Sequence, residues 1–166
     1  MELRTKRLLL TPLGEADVDA FHALVVDAHV RRYLLDGQVL PRAWAEEQVS
    51  RSQALFTARG AGLWLARLAD TGEVAGFTGL VDLGAAHGPE LVYALPERFT
   101  GRGLAREMAA AVLAHLAAVD PGGAVHASVD AVNGASVRVL EALGFAPVEE
   151  REGAFGVLRV YRRGPL

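Results

Sequence analysis

Arg98-Phe99-Thr100-Gly101-Arg102-Gly103 is the stretch of this chain whose residue types and spacing best suit chemistry. It lies between a short apolar run, Leu91 to Leu95, and a segment in which Leu104, Met108, Ala111, Val112, His115 and Leu116 recur at helical spacing. The first N–H groups of a helix have no internal partner and sit at the positive end of its dipole. Glycines ahead of them leave the backbone bare, so a phosphate can approach closely. Arg98 and Arg102 add charge, and a guanidinium can hold phosphate oxygens in a two-pronged fork. The plainer reading is a strand-to-helix turn that needs glycine for its backbone angles. Two glycines alone do not separate these readings.

Glu90 opens the apolar run. A glutamate there can act as a general base that takes a proton, directly or through a water. A solvated carboxylate at a strand end is the commoner fate of this residue type. Asn133 and Ser136 stand three apart, which suits a helix N-cap and a residue of the first turn. His22, His29, His87, His115 and His126 show no paired metal-ligand spacing, and the chain has no cysteine to complete a set. No metal site is expected. His115 reads as packing, whereas His126 alternates away from Val125 and could line a cleft. Without cysteine there is no thiol nucleophile and no disulfide, and no Gly-x-Ser-x-Gly elbow supports a serine hydrolase.

The elements that must position these residues can be read in chain order. Leu8–Thr11 is a first strand, and Val18, Phe21, His22, Leu24 and Val25 form a helical stripe that ends near Ala28. Val30 to Leu40 reads as irregular. Pro41 suits the first turn of a second helix that runs to about Arg59, where Gly60 and Gly62 close it. Leu63–Leu68 and Glu73–Val81 flank Asp70-Thr71-Gly72 as a hairpin. Gly76 and Gly79 within its second strand suggest a bulge or the close approach of another segment. After the long helix, Pro121-Gly122-Gly123 breaks the chain, and Ala124–Val129 alternates as a strand. A strand–helix–strand unit of this kind makes Leu91–Leu95 and Val125–Val129 roughly parallel. A short helix from Asn133 ends at Gly144, with Phe145 packing back on it, and Val148–Tyr161 is a final hairpin. This order predicts a mixed sheet with helices on both faces.

At 166 residues, 51% of them hydrophobic and 22% charged, the chain reads as one globular domain spanning 1–166 with a sizeable core. A net charge of −3 speaks against a phosphate-backbone partner, so no nucleic acid is expected. No apolar run reaches the roughly 18 residues of a membrane span, and the N-terminus shows no signal pattern. The expected location is cytoplasmic, with no membrane partner.

Arg98-x-x-Gly101-x-Gly103 at the head of a helix, behind a strand carrying Tyr93, resembles the acyl-CoA pyrophosphate loop of the GNAT superfamily of N-acetyltransferases. Asn133-Gly134-Ala135-Ser136 and Leu140-Glu141-Ala142-Leu143-Gly144-Phe145 are similar to the Asn-x-x-Ser and Leu-Gly-Phe segments of its RimJ/RimL-type branch, named for enzymes that acetylate N-terminal amines of ribosomal proteins. The resemblance is strongest over Glu90–Phe145. It implies an α/β (α+β) fold with a mixed, mostly antiparallel central sheet of about seven strands, flanked by about four helices. A splayed parallel strand pair would form the acyl-CoA cleft.

The resemblance also implies acetyl-CoA as acyl donor, an amine acceptor, no metal, and a homodimer in many relatives. Glu90 would be the general base and Ser136 the group that protonates the departing thiolate. The pantetheine arm would lie along Val92, Tyr93 and Leu95 and hydrogen-bond Asn133. The pyrophosphate would lie on Arg98, Gly101, Arg102, Gly103, Leu104 and Ala105. A free thiol has a pKa of about 8.5, so the leaving group needs only modest help from Ser136. The alternative is a non-catalytic acyl-CoA-binding sensor or regulatory module, which shares the loop and needs no base. A phosphate- or nucleotide-binding domain of another kind is the third reading.

Overall fold

Strands whose side chains alternate between two apolar layers build the protein around one sheet. The computed structural model describes residues 1–165. Its strands are β1 (Leu3–Arg4), β2 (Leu8–Pro12), β3 (Leu63–Leu68), β4 (Val74–Val81), β5 (Glu90–Ala94), β6 (Val125–Asp130), β7 (Ala146–Gly153) and β8 (Gly156–Arg163). Its helices are α1 (Val18–Val26), α2 (Ala28–Leu34), α3 (Arg42–Arg59), α4 (Leu104–Val119) and α5 (Gly134–Ala142). The sheet order is β1-β2-β3-β4-β5-β6-β8-β7, and every neighbouring pair is antiparallel except β5 and β6. The expected mixed, mostly antiparallel sheet with one parallel pair is therefore present.

The two faces bury different helices. Trp64 and Ala66 of β3 pack with Leu104, Met108, Val112 and Leu116 of α4. Leu63 and Leu65 of the same strand pack with Phe21, Val25 and Val49 of α1 and α3. Gly79 shows the close approach expected of it, since a Cβ there would stand 2.0 Å from the Gly62 carbonyl oxygen. At the end of α5 the Phe145 N–H reaches the Leu140 carbonyl at 3.0 Å and the Gly144 N–H reaches Glu141 at 3.0 Å. This Schellman arrangement folds Phe145 back onto the helix, as the sequence predicts.

The described residues hold one strand and one α-helix more than expected. β1 is too short to leave a periodicity. α2 occupies part of the segment read as irregular, because the Asp27 carboxylate accepts hydrogen bonds from the His29 and Val30 N–H groups at 2.9 and 3.1 Å and so starts a second helix. Leu95 falls just outside β5, and Asp130 falls inside β6. The last hairpin is longer than expected at both ends, and its edge strand β7 is almost wholly exposed. Among the described residues, no helix is long and apolar enough to cross a membrane.

One polar cluster ties the N-terminus to the glycine turn. Glu107, in the first turn of α4, accepts hydrogen bonds from the Thr5 hydroxyl at 2.6 Å, the Arg7 N–H at 2.9 Å and the Arg7 Nε–H at 2.7 Å. Arg7 Nη1 in turn donates to the Arg102 carbonyl at 2.8 Å. Burial alone would raise the Glu107 carboxyl, but the bonds from Thr5 and Arg7 outweigh it and hold it below its ordinary value. Glu107→Gln is expected to cost about 1–3 kcal/mol in urea denaturation at neutral pH. A depressed carboxyl stabilises above its unfolded-state pKa, so the difference from wild type should shrink as the pH falls through and below the ordinary glutamate range. A pH-independent difference would detach the charge of Glu107 from this role.

Candidate active site

β5 and β6 share a single register position, Glu90 opposite His126, and then diverge. Beyond that apex β5 is paired only with β4 and β6 only with β8. Alternate N–H and C=O groups of β5 past Glu90 therefore face an open gap rather than a neighbouring strand. The gap narrows to Glu90 at one end, while its open end leads to the glycine turn and α4.

At that open end Gly101 and Gly103 adopt φ values of 70° and 73°, the left-handed region that glycine enters without strain. Among the described residues, the backbone N–H groups from Gly101 to Arg106 have no acceptor; the first bond into the helix comes from Glu107 N–H to the Gly103 carbonyl at 3.1 Å. This row of free donors at the start of a 16-residue helix has the chemistry to accept an anion. The side chain of Leu104 is buried in the core, so its contribution is confined to its N–H, as is that of Ala105. The arginines are placed differently from expectation. Arg98 pairs with Glu73 at 3.3 Å and lies 4.7 Å over the Phe99 ring, and Arg102 lies 5.8 Å over the same ring. Both partners of the Arg98–Glu73 pair are exposed, so it is weak enough to yield to a phosphate.

Glu90 is 3% exposed. His87 Nε2 lies 2.8 Å from its Oε1, and the His87 ring stacks on His126 with centroids 4.2 Å apart. Burial, with repulsion from His87 and Arg162, pulls His126 below the ordinary histidine value against an opposing pull from Glu90. A neutral His126 makes the stack one without two facing cations. The sequence offered His126 as a cleft-lining residue and gave His87 no place at this point. The three-residue step from His87 to Glu90 and the parallel pairing of the two strands together carry that signal. The far side of His87 lines a cleft of about 480 Å³ with Arg59, Leu80, Asp120 and Val125.

Tyr93 crosses the gap on the α5 side. Its hydroxyl donates to the Ser136 carbonyl at 3.0 Å. Burial, partly offset by that bond, pushes the Tyr93 phenol up to about 12, so it remains a neutral donor. Asn133 caps α5, its Oδ1 accepting the Ser136 N–H at 3.3 Å. Its side-chain NH₂ and the Ser136 hydroxyl make no hydrogen bond among the described residues, so both can serve a molecule in the gap. Val92 faces the α1–α3 layer, and Leu95 is buried beside α4. Neither side chain lines the gap floor, and only backbone groups there can act.

The fold thus brings Glu90, Tyr93, Asn133, Ser136 and the glycine turn around one gap. A family model described as an acetyltransferase (GNAT) domain matches residues 7–146. The chain is similar to a Bordetella pertussis protein described as a GnaT-family acetyltransferase, with 25% identity, 99% of each chain covered and a TM-score of 0.86. It is also similar to an acetyltransferase from Agrobacterium tumefaciens, with 25% identity, coverage of 99% of this chain and 95% of that one, and a TM-score of 0.82. A RimL ribosomal L7/L12 α-N-protein acetyltransferase in complex with coenzyme A shares the fold at 22% identity, with 98% and 97% of the chains covered and a TM-score of 0.81.

Proposed function

The chain belongs to the GNAT acetyltransferase family, and from that premise we propose that it transfers the acetyl group of acetyl-CoA to a primary amine by direct attack in a ternary complex. The observation that carries this reading is the gap between β5 and β6, with free N–H donors at its open end and a buried carboxylate at its apex. The residues present fit the donor. The N–H groups of Gly101–Arg106 would hold its pyrophosphate, with Arg102 and a released Arg98 beside them. The Asn133 side-chain NH₂ and the unpaired edge of β5 would hold its arm. The fold neighbour with coenzyme A bound supports that donor, and neighbours named for acting on L7/L12 support a protein N-terminal amine among the acceptors.

Glu90 takes a proton from the incoming ammonium, and the neutral nitrogen then attacks the thioester carbonyl carbon. A β5 N–H past the apex supports the oxygen as negative charge develops on it. The attacking nitrogen, now positively charged, loses its second proton as the C–S bond breaks. The Ser136 hydroxyl gives its proton to the thiolate and is reprotonated by the one the nitrogen releases, so the neutral amide and free coenzyme A leave and Glu90 returns its proton to solvent. His87 Nε2–H holds one Glu90 oxygen and leaves the other for the amine. Orientation and oxyanion support supply most of the rate, with no covalent intermediate on the protein.

The test is titration of acetyl-CoA into the protein by calorimetry, followed by thiol release with a panel of primary amines. Binding and release together support the proposal. Binding without release for any amine would replace it with a non-catalytic acyl-CoA-binding module, and no binding would sink both. Ser136→Ala is expected to lower kcat by about tenfold rather than abolish it, because the thiol is a good leaving group. An unchanged kcat would remove Ser136 from the mechanism.

A further inference from the structure

Val125, Ala127 and Val129 of β6 pack toward α4 and α5. The alternate residues His126, Ser128 and Asp130 therefore face the other side of the sheet, together with Glu90 and the helices α1 and α2. Two polar groups on that face have no partner among the described residues. The Ser128 hydroxyl is fully buried and makes no hydrogen bond. Asp130 is only 7% exposed, and no donor reaches its carboxylate. Its Oδ1 comes within 3.4 Å of where a Cβ on Gly153 would stand, so it is aimed beneath the β7–β8 hairpin. Over the same place α2 meets that hairpin, with Tyr33 edge-on to Phe155 at 5.7 Å. The loop after α2 brings in Asp36, at φ 52° the one non-glycine residue with positive φ among the described residues. Of the two arginines that precede it on α2, Arg31 is turned to the Gly37 carbonyl and Arg32 lies 5.2 Å over the Tyr33 ring.

A carboxylate that no protein donor reaches, beside a second carboxylate, is an unfavourable arrangement for a fold to keep without a cation. We infer that Asp130, with Asp36 and the Ser128 hydroxyl, anchors a second cationic group of the acceptor, so that the preferred acceptor is an amine carrying a further ammonium or guanidinium. Burial and the nearby Asp36 raise the Asp130 carboxyl, which is the direction expected where no cation is in place. Asp130 lies four residues along β6 from the apex residue His126, roughly 13 Å of strand. The two nitrogens of the acceptor must therefore be many bonds apart. This inference rests on the acetyl-transfer reading and deepens it.

Thiol release from acetyl-CoA with 1,8-diaminooctane and with octylamine tests it, alongside the peptides Ser-Ala-Lys and Ser-Ala-Leu. The first pair represents a free polyamine-like acceptor and the second a basic protein N-terminus. In wild type the dication of at least one pair should be favoured at least tenfold in kcat/KM. In Asp130→Asn that ratio should fall toward one, and in Asp36→Asn it should fall by a smaller factor. Asp130→Asn should also melt at or above the wild-type temperature, because it removes the repulsion between two neighbouring carboxylates. Ratios near one in wild type, a ratio unchanged in Asp130→Asn, or a lower Tm for that variant would each overturn the assignment. Calorimetric binding of 1,8-diaminooctane to the protein with coenzyme A, without turnover, would uphold the cation site and sink acetyl transfer. Octylamine turnover with no diamine advantage would do the reverse.

Discussion

Gly103→Glu is expected to lower the affinity for acetyl-CoA by at least about 100-fold, or about 2.7 kcal/mol, in a protein that still folds. Gly103 sits at φ 73° immediately before α4. A side chain there costs about 1–2 kcal/mol of left-handed strain. Space is not the obstacle, because a Cβ would meet nothing closer than Arg7 Nη2 at 3.6 Å. The new carboxylate would instead stand among the free N–H groups of Gly101–Arg106, compensate the positive end of the helix and repel a pyrophosphate. Gly103→Ala separates the two effects, since it carries the same backbone strain without the charge. Calorimetry should show the alanine variant keeping most of its affinity and the glutamate variant losing it. Wild-type affinity in a folded glutamate variant would move the anion site off this turn.

The same turn shows what a sequence can carry. Gly101 and Gly103 are legible because φ values of 70° and 73° demand glycine, whereas the place of Arg98 in an anion loop is what the family resemblance implies. The hairpin around Asp70-Thr71-Gly72, the Asn133 cap and the Gly144 stop are local in the same sense. Other features escape because they depend on contacts distant in the chain. Arg98 pairs with Glu73 rather than standing free, and no pattern near either residue announces it. His87 and His126 meet only because β5 and β6 pair in parallel at one position. The unpartnered Asp130 looks like any strand-end acid until α2 and the β7–β8 hairpin close over it. α2 is the exception. Asp27 is a local capping signal that the irregular reading of Val30 to Leu40 passed over.

Glu90→Gln is expected to lower kcat by about 10²–10⁴ with ordinary alkylamines while leaving acetyl-CoA affinity near wild type. The substitution keeps shape, and the amide oxygen can still accept from His87 Nε2–H at the position Oε1 now holds. What it removes is the ability to take a proton. An alkylamine arrives as an ammonium and needs that step, whereas a weakly basic amine such as an arylamine or hydroxylamine arrives neutral. The ratio of wild-type to variant kcat should therefore shrink markedly for the weakly basic nucleophile. A merely structural role for Glu90 would slow both kinds of amine equally, since misplacing the apex of the gap harms every acceptor. Single-turnover rates with an alkylamine and with hydroxylamine, measured at saturating acetyl-CoA, decide between these outcomes. Equal losses would take the base role from Glu90. A loss confined to the alkylamine would tie the buried carboxylate, held by His87 where the two strands part, to deprotonation of the acceptor.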